Sequence, residues 1–178
     1  MGILLGLMPF ILFVLLTPVS VSLALWIAMS AAFVISIRDF GKSRAVRQLD
    51  IGGLALFFLL AIYAGFIQPS LSLQAVRLIV DAGMLILAGI SLVRRMPFTL
   101  EYARDLAPQE VANTPQFVRA NYVIAMVWTG ALALMTLADC IAVIGREIPI
   151  SLDIAVGFAA VGAAIVFTVR NPLQAQES

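Results

Sequence analysis

The sequence predicts an all-α polytopic membrane protein, and three observations carry that prediction. Of its 178 residues, 62% are hydrophobic and only 12% are charged. A soluble domain of this length needs far more charge to cover its surface, so the surplus apolar surface faces lipid. The apolar residues also fall in unbroken blocks long enough to cross a bilayer, with the charges gathered between them. The longest polar passage is Arg94–Arg119, RRMPFTLEYARDLAPQEVANTPQFVR. The expectation is a single integral membrane domain over 1–178. It has six transmembrane helices paired as three hairpins, with an interfacial amphipathic helix between the fourth and the fifth.

The first apolar block, Gly2–Ile37, is too long for one crossing of a ~30 Å hydrocarbon core at ~1.5 Å per residue. Pro18 disfavours helix at Thr17 and removes a donor, so Thr17-Pro18-Val19-Ser20 divides the block into helices at about 3–17 and 20–37. A single kinked helix is the alternative, giving five spans. With no Lys or Arg before this block and no small-residue cleavage site after it, the reading is a retained span rather than a signal peptide. The third span is expected at about 51–67, closed by Gln68-Pro69-Ser70, and the fourth at about 76–93. The fifth is expected at about 122–144 and the sixth at about 152–169, with a turn around Pro149 between them.

Orientation follows from the eleven basic residues. Arg38, Lys42, Arg44, Arg47, Arg94, Arg95, Arg104, Arg119 and Arg170 fall on one side of the six-span layout, and only Arg77 and Arg146 on the other. By the positive-inside rule the rich side is cytoplasmic, and with it the C-terminus. Even-numbered spans end alike, in Ser36-Ile-Arg38, Ser91-Leu-Val-Arg94 and Thr168-Val-Arg170, which fits three hairpins. Cytoplasmic helix ends finishing in arginine are common, and that reading fits too.

The composition also excludes chemistry. There is no histidine and one cysteine, Cys140, so His-ligated haem, H-E-x-x-H zinc, a His general base and an intrachain disulfide relay are all absent. A net charge of +1 without a clustered basic face argues against nucleic acid as a partner. No catalytic residue, cofactor or metal ligand is expected.

Two groups of residues stand out. Asp81 and Asp139 lie inside apolar spans, where an acid is costly unless it is paired or lines a wet cavity. Both are expected at similar depth in the outer half, with Arg77 four residues before Asp81 as an ion-pair partner on the same helix face. Arg146, Glu147 and Asp153 fall near that level. The cluster reads either as interhelical pairs that fix the bundle or as a proton- or cation-coupled pocket. The second group lies in Arg94–Arg119. Pro97 suits a helix start, and Phe98, Tyr102 and Leu106 recur at intervals of four, which suggests an interfacial helix ended by Pro108, with a second break at Pro115. Phe98 and Tyr102 would sit at headgroup level, and Arg94, Arg95 and Arg104 would contact anionic lipid or a docking protein. An ordinary membrane-hugging connector has the same pattern. Small residues at interval four, Gly2/Gly6, Ala61/Gly65, Ala159/Ala163 and Ala160/Ala164, allow close packing within the bundle or in a homo-oligomer. Trp128 lies some two turns inside its span and reads as a packing residue.

The chain also resembles the inner-membrane septation protein A family of small bacterial membrane proteins. The matching features are Met8-Pro9-Phe10 early in the first span, the turn Arg95-Met96-Pro97 after the fourth, and Leu137-Ala138-Asp139, whose Asp139 follows Trp128 by eleven residues, where the family tends to have Leu-Ala-Asn. The resemblance implies a bacterial inner-membrane location, no enzymatic activity, and a role in cell-envelope maintenance or septation through contacts with division or elongation proteins. The residues alone leave a second class open, a small transporter or ion pathway using Asp81 and Asp139.

Overall fold

In the computed structural model, residues 6–43, 47–68, 71–105, 107–145 and 150–170 are described. All regular structure among them is helical. The helices are α1 (Met8–Leu16), α2 (Val21–Ser43), α3 (Gln48–Ile62), α4 (Leu73–Val93), α5 (Phe98–Arg104), α6 (Gln109–Ala112), α7 (Pro115–Ile144) and α8 (Ile150–Arg170). A π-helical turn, Tyr63–Ile67, extends α3.

Five of these helices are long and apolar enough to cross a membrane: Val21–Gly41, Gln48–Ile67, Leu73–Val93, Pro115–Ile144 and Ser151–Arg170. The chain is therefore a multi-pass membrane protein. The division at Thr17-Pro18 is present, since α1 ends at Leu16 and residues 17–19 form a turn. But α1 is only nine residues, about 14 Å at ~1.5 Å per residue, and is too short to cross a ~30 Å core by itself. The expected first span is thus not among the five, and its residues 1–5 lie outside the described residues.

Other boundaries move for identifiable reasons. Ser72 caps α4 by accepting the Ala75 N–H at 3.2 Å, so α4 begins a turn before 76. Pro115, expected as a break, sits in the first turn of α7, where its missing N–H is no loss. Thr114 caps that end by accepting the Phe117 N–H at 3.3 Å, so α7 begins seven residues before Tyr122 and runs for 30 residues. The expected turn around Pro149 falls outside the described residues.

The helices do not pack simply as three sequential hairpins. α4 lies at the centre, packed on α7 and on α3, while α7 also packs on α8 and α2 joins α1 to α3. Close approach of α3 and α4 uses two glycines: a Cβ on Gly52 would lie 2.4 Å from Leu87, and one on Gly83 would lie 2.7 Å from Leu56. The core contains Phe10, Phe13, Phe57, Met84, Trp128 and Met135. Trp128 is buried as expected and donates from Nε1 to Thr168 Oγ1 at 3.0 Å, which satisfies its one polar atom. Ala160 and Ala164 are buried in the same region, consistent with packing by small residues.

Candidate functional site

The central packing of α4 on α7 and α8 brings four ionisable side chains together away from water. Arg77, Asp81, Asp139 and Asp153 are 4%, 1%, 0% and 3% exposed. The Arg77 Nε lies 3.3 Å from Asp139 Oδ1 and 3.3 Å from Asp153 Oδ2, and its Nη2 reaches the Asp153 backbone carbonyl at 3.4 Å. Arg77 therefore ties α4 to α7 and α8, in place of the expected pairing with Asp81 one turn along its own helix. A guanidinium with five donors can bridge partners that lie on different helices, whereas the i,i+4 contact satisfies only one of them. Asp81 instead faces Asp139 across the α4–α7 contact, and Asp139 also faces Asp153.

Gly157 completes the site. It lies one turn after Asp153 on α8, and a Cβ there would come within 3.2 Å of Arg77 Nη2. A small residue at that position leaves the guanidinium room to lie flat against the helix. Asp81, Asp139 and Arg77 were legible as unusual residues in apolar spans. Asp153 was legible as an acid near the same level, but its contact with Arg77 was not, and Gly157 carried no signal of its own. Their spacing of four, with Asp153 in the first turn of a helix, is the signal that puts both on one face. Arg146 and Glu147 lie outside the described residues.

Donors are scarce in this cluster. Asp81 Oδ2, Asp139 Oδ2 and both Asp153 carboxylate oxygens are buried without a hydrogen-bond partner. The Arg77–Asp153 carboxylate contact is within ion-pair distance but is not aligned as a hydrogen bond. Among the described residues, no group of three or more His, Cys, Asp or Glu is arranged to hold a metal ion.

The second group of expected site residues lies at the arginine-rich end, and here the structure corrects the expectation. Phe98 and Tyr102 are not at a headgroup surface; they are 1% and 0% exposed, and Pro97 is buried beside them. α5 is folded into the end of the bundle. Ser91 Oγ accepts the Phe98 N–H at 3.2 Å, and Thr99 Oγ1 donates to the Asn121 carbonyl at 2.6 Å. The start of α3 and the early turns of α7 provide the walls that an isolated interfacial helix would lack. The interval-four spacing of Phe98 and Tyr102 marks a buried face, and its lining is protein rather than lipid. Leu106, the third member of that series, lies outside the described residues. Arg94, Arg95 and Arg104 remain exposed.

Tyr102 is the centre of this second network. Its hydroxyl donates to Asp50 Oδ1 at 2.5 Å, and its ring fills the space above Gly6, where a Cβ would lie 2.1 Å from the ring. The Arg47 guanidinium covers the ring at 4.4 Å from its centroid and pairs with Asp39 and Asp105. Glu101 Oε2 accepts the Gln48 N–H at 3.1 Å, so α5 caps the start of α3. Burial pushes the Tyr102 phenol well above its ordinary range, and the neighbouring Asp50 carboxylate pushes it further, so it stays a donor. Burial also raises the Glu101 carboxyl above its ordinary value, against the Gln48 N–H that lowers it.

No protein-family model, characterised protein or solved structure matches the chain. The likeness to the septation family thus rests only on the residues that carry it.

Proposed function

We propose that the protein is a small proton-coupled transporter or ion pathway, with Arg77, Asp81, Asp139 and Asp153 as its proton-carrying site. One observation supports this above all: three carboxylates gather about one guanidinium inside a hydrocarbon-embedded bundle, and four of their oxygens lack hydrogen-bond partners. With every group ionised the cluster carries an excess of two negative charges, three carboxylates against one guanidinium. Such an excess is costly at this depth, and intramembrane acids of this kind are characteristic of proton relays.

In this reading the membrane is a bacterial inner membrane. It is crossed six times, and the arginine-rich end and the C-terminus are cytoplasmic. No enzymatic step and no cofactor are involved.

The test is proton flux into proteoliposomes holding a trapped pH indicator, driven by an imposed potassium diffusion potential. Wild-type protein passes protons well above protein-free vesicles. Asp81→Asn and Asp139→Asn remain folded by size-exclusion profile and bring the flux to background. No flux from wild type, or equal flux from wild type and both variants, overturns the reading.

A second reading, envelope maintenance or septation through contacts with division or elongation proteins, is favoured by the exposure of Arg94, Arg95 and Arg104. Crosslinked capture from native membranes tests it. Envelope proteins enriched by wild type and lost with Arg94, Arg95 and Arg104 changed together to Ala support it; identical captures sink it.

A further inference from the structure

Asp50 is a further buried acid, and the site described above does not use it. It lies in the first turn of α3 and is 6% exposed. Its two oxygens are treated differently. Oδ1 accepts the Tyr102 hydroxyl, while Oδ2 is buried with no hydrogen-bond partner and has only the Arg47 Nη1 at 3.8 Å. The other charged groups around it are Asp39 and Arg38 on α2, Glu101 on α5 and, through Arg47, Asp105.

Asp50 also borders a cavity of about 10 Å³, which is room for about one water. The same cavity reaches Met84 on α4. Met84 lies one turn from Asp81 on the buried face of that helix, about 4.5 Å along the axis. The cavity stops short of Asp81, which is not among its walls. Its remaining walls include Phe10, Ile35 and Phe57, so Asp50 supplies the carboxylate in an otherwise apolar lining. At its other end Tyr102 fills the gap above Gly6 and separates Asp50 from the arginine-rich surface.

We infer that Asp50 is a second proton-carrying carboxylate, served by the one-water cavity beside it, and that Tyr102 is the gate between Asp50 and water at the arginine-rich end. A proton arriving from the cavity side adds to the Asp50 carboxylate at Oδ2. It leaves to water when the Tyr102 ring swings clear, and the carboxylate is restored. The phenol donates to Oδ1 while the gate is shut, releases it when the ring moves, and keeps its own proton. The Arg47 guanidinium over the ring, anchored by Asp39 and Asp105, holds the gate shut in this structure. The inference rests on the proton-pathway reading, and its test separates the two.

One preparation of proteoliposomes supplies two readouts, proton flux and labelling of Asp50 by a water-soluble carbodiimide, which reacts with protonated carboxyl groups and is scored by peptide mass spectrometry. In wild type, Asp50 labels slowly and only as pH falls. Tyr102→Phe keeps the ring against Gly6 but loses the hydroxyl, so labelling rises several-fold and flux increases. Asp50→Asn abolishes flux as Asp81→Asn does; should it fail to fold, Tyr102→Phe carries the test. Flux lost with Asp81→Asn but untouched by Asp50→Asn and Tyr102→Phe, with Asp50 unlabelled throughout, overturns this inference and leaves the pathway reading standing. Absence of flux in wild type, with Asp50 labelling that depends on pH and on Tyr102, overturns the pathway reading and leaves Asp50 as a gated proton site.

Discussion

At the arginine-rich end, each acid of the network finds a donor: Asp39 and the exposed Asp105 meet Arg47, Glu101 meets the Gln48 N–H, and Asp50 meets Tyr102. In the cluster between α4, α7 and α8, a single guanidinium pairs with two of three carboxylates and leaves Asp81 facing Asp139. Buried oxygens without a hydrogen-bond partner number four there, and Asp50 Oδ2 is the one carboxylate oxygen in the same position at the arginine-rich end. Both regions are rich in acid, so residue types do not distinguish them. What distinguishes them is the supply of donors. The first region draws on helix starts, a phenol and nearby water, because Asp105 is exposed. The second is fully buried, and Arg77 is the cation it draws on. A well-supplied network locks structure, and an under-supplied one leaves its charge to be balanced by something mobile.

The comparison can be broken most forcefully at Arg77. Arg77→Met leaves three buried carboxylates with no cation, and breaking a buried pair in this way costs about 3–5 kcal/mol. The expected result is loss of monodisperse protein in detergent, with recovery when Asp139→Asn and Asp153→Asn are added. If Arg47→Met is equally damaging, the two regions are not different in kind. At the arginine-rich end, Gly6→Val drives a side chain into the Tyr102 ring, and overpacking of this sort costs about 1–3 kcal/mol, read as a lower melting temperature. Tyr102→Leu added to Gly6→Val should return much of that loss.

A smaller effect sharpens the contrast through pH. The Glu101 carboxyl is raised above its ordinary value of 4.5, so the folded protein binds a proton that the unfolded chain has already released in that window. Its contribution to stability therefore falls as pH rises from 4.5 through the raised value, and it is regained on acidification. Glu101→Gln, which keeps an acceptor for the Gln48 N–H, should flatten that part of the melting-temperature profile. A profile unchanged by the substitution would show that Glu101 is not strained by its burial.

The smallest effect is expected at Arg95, which closes α4 with a positive φ of 56° and accompanies a Met96 N–H bond back to the Ser91 carbonyl. This is the position that glycine ordinarily takes at a helix end. Arg95→Gly relieves the left-handed penalty of about 1 kcal/mol, partly offset by chain entropy, so the melting temperature should rise slightly or stay constant.

Much of the helical layout was legible in the sequence, because hydrocarbon blocks of span length permit little else. The break at Thr17-Pro18 was readable for the same local reason, the geometry of proline. The short reach of α1 was not, because block length says nothing of where a helix is stopped or what it packs on. Asp81, Asp139 and Arg77 were conspicuous by depth, but which acid Arg77 joins depends on α8, a helix more than seventy residues away. The burial of Phe98 and Tyr102 was illegible for a related reason. An apolar face at interval four looks the same whether its partner is lipid or protein, and only the position of Gly6, Asp50 and Asn121 in space decides it.

The length of α7 has a consequence for the surrounding lipid. Its 30 residues rise about 45 Å at ~1.5 Å each, against a hydrocarbon thickness of ~30 Å. Such a mismatch is absorbed by tilting the helix or by leaving its first turns outside the apolar layer. Those first turns hold Asn121, whose carbonyl is bonded to Thr99 on α5, and α5 bears Tyr102. Through that bond a change in the tilt of α7 would be felt at α5, and proton flux should vary with acyl-chain length as well as with pH.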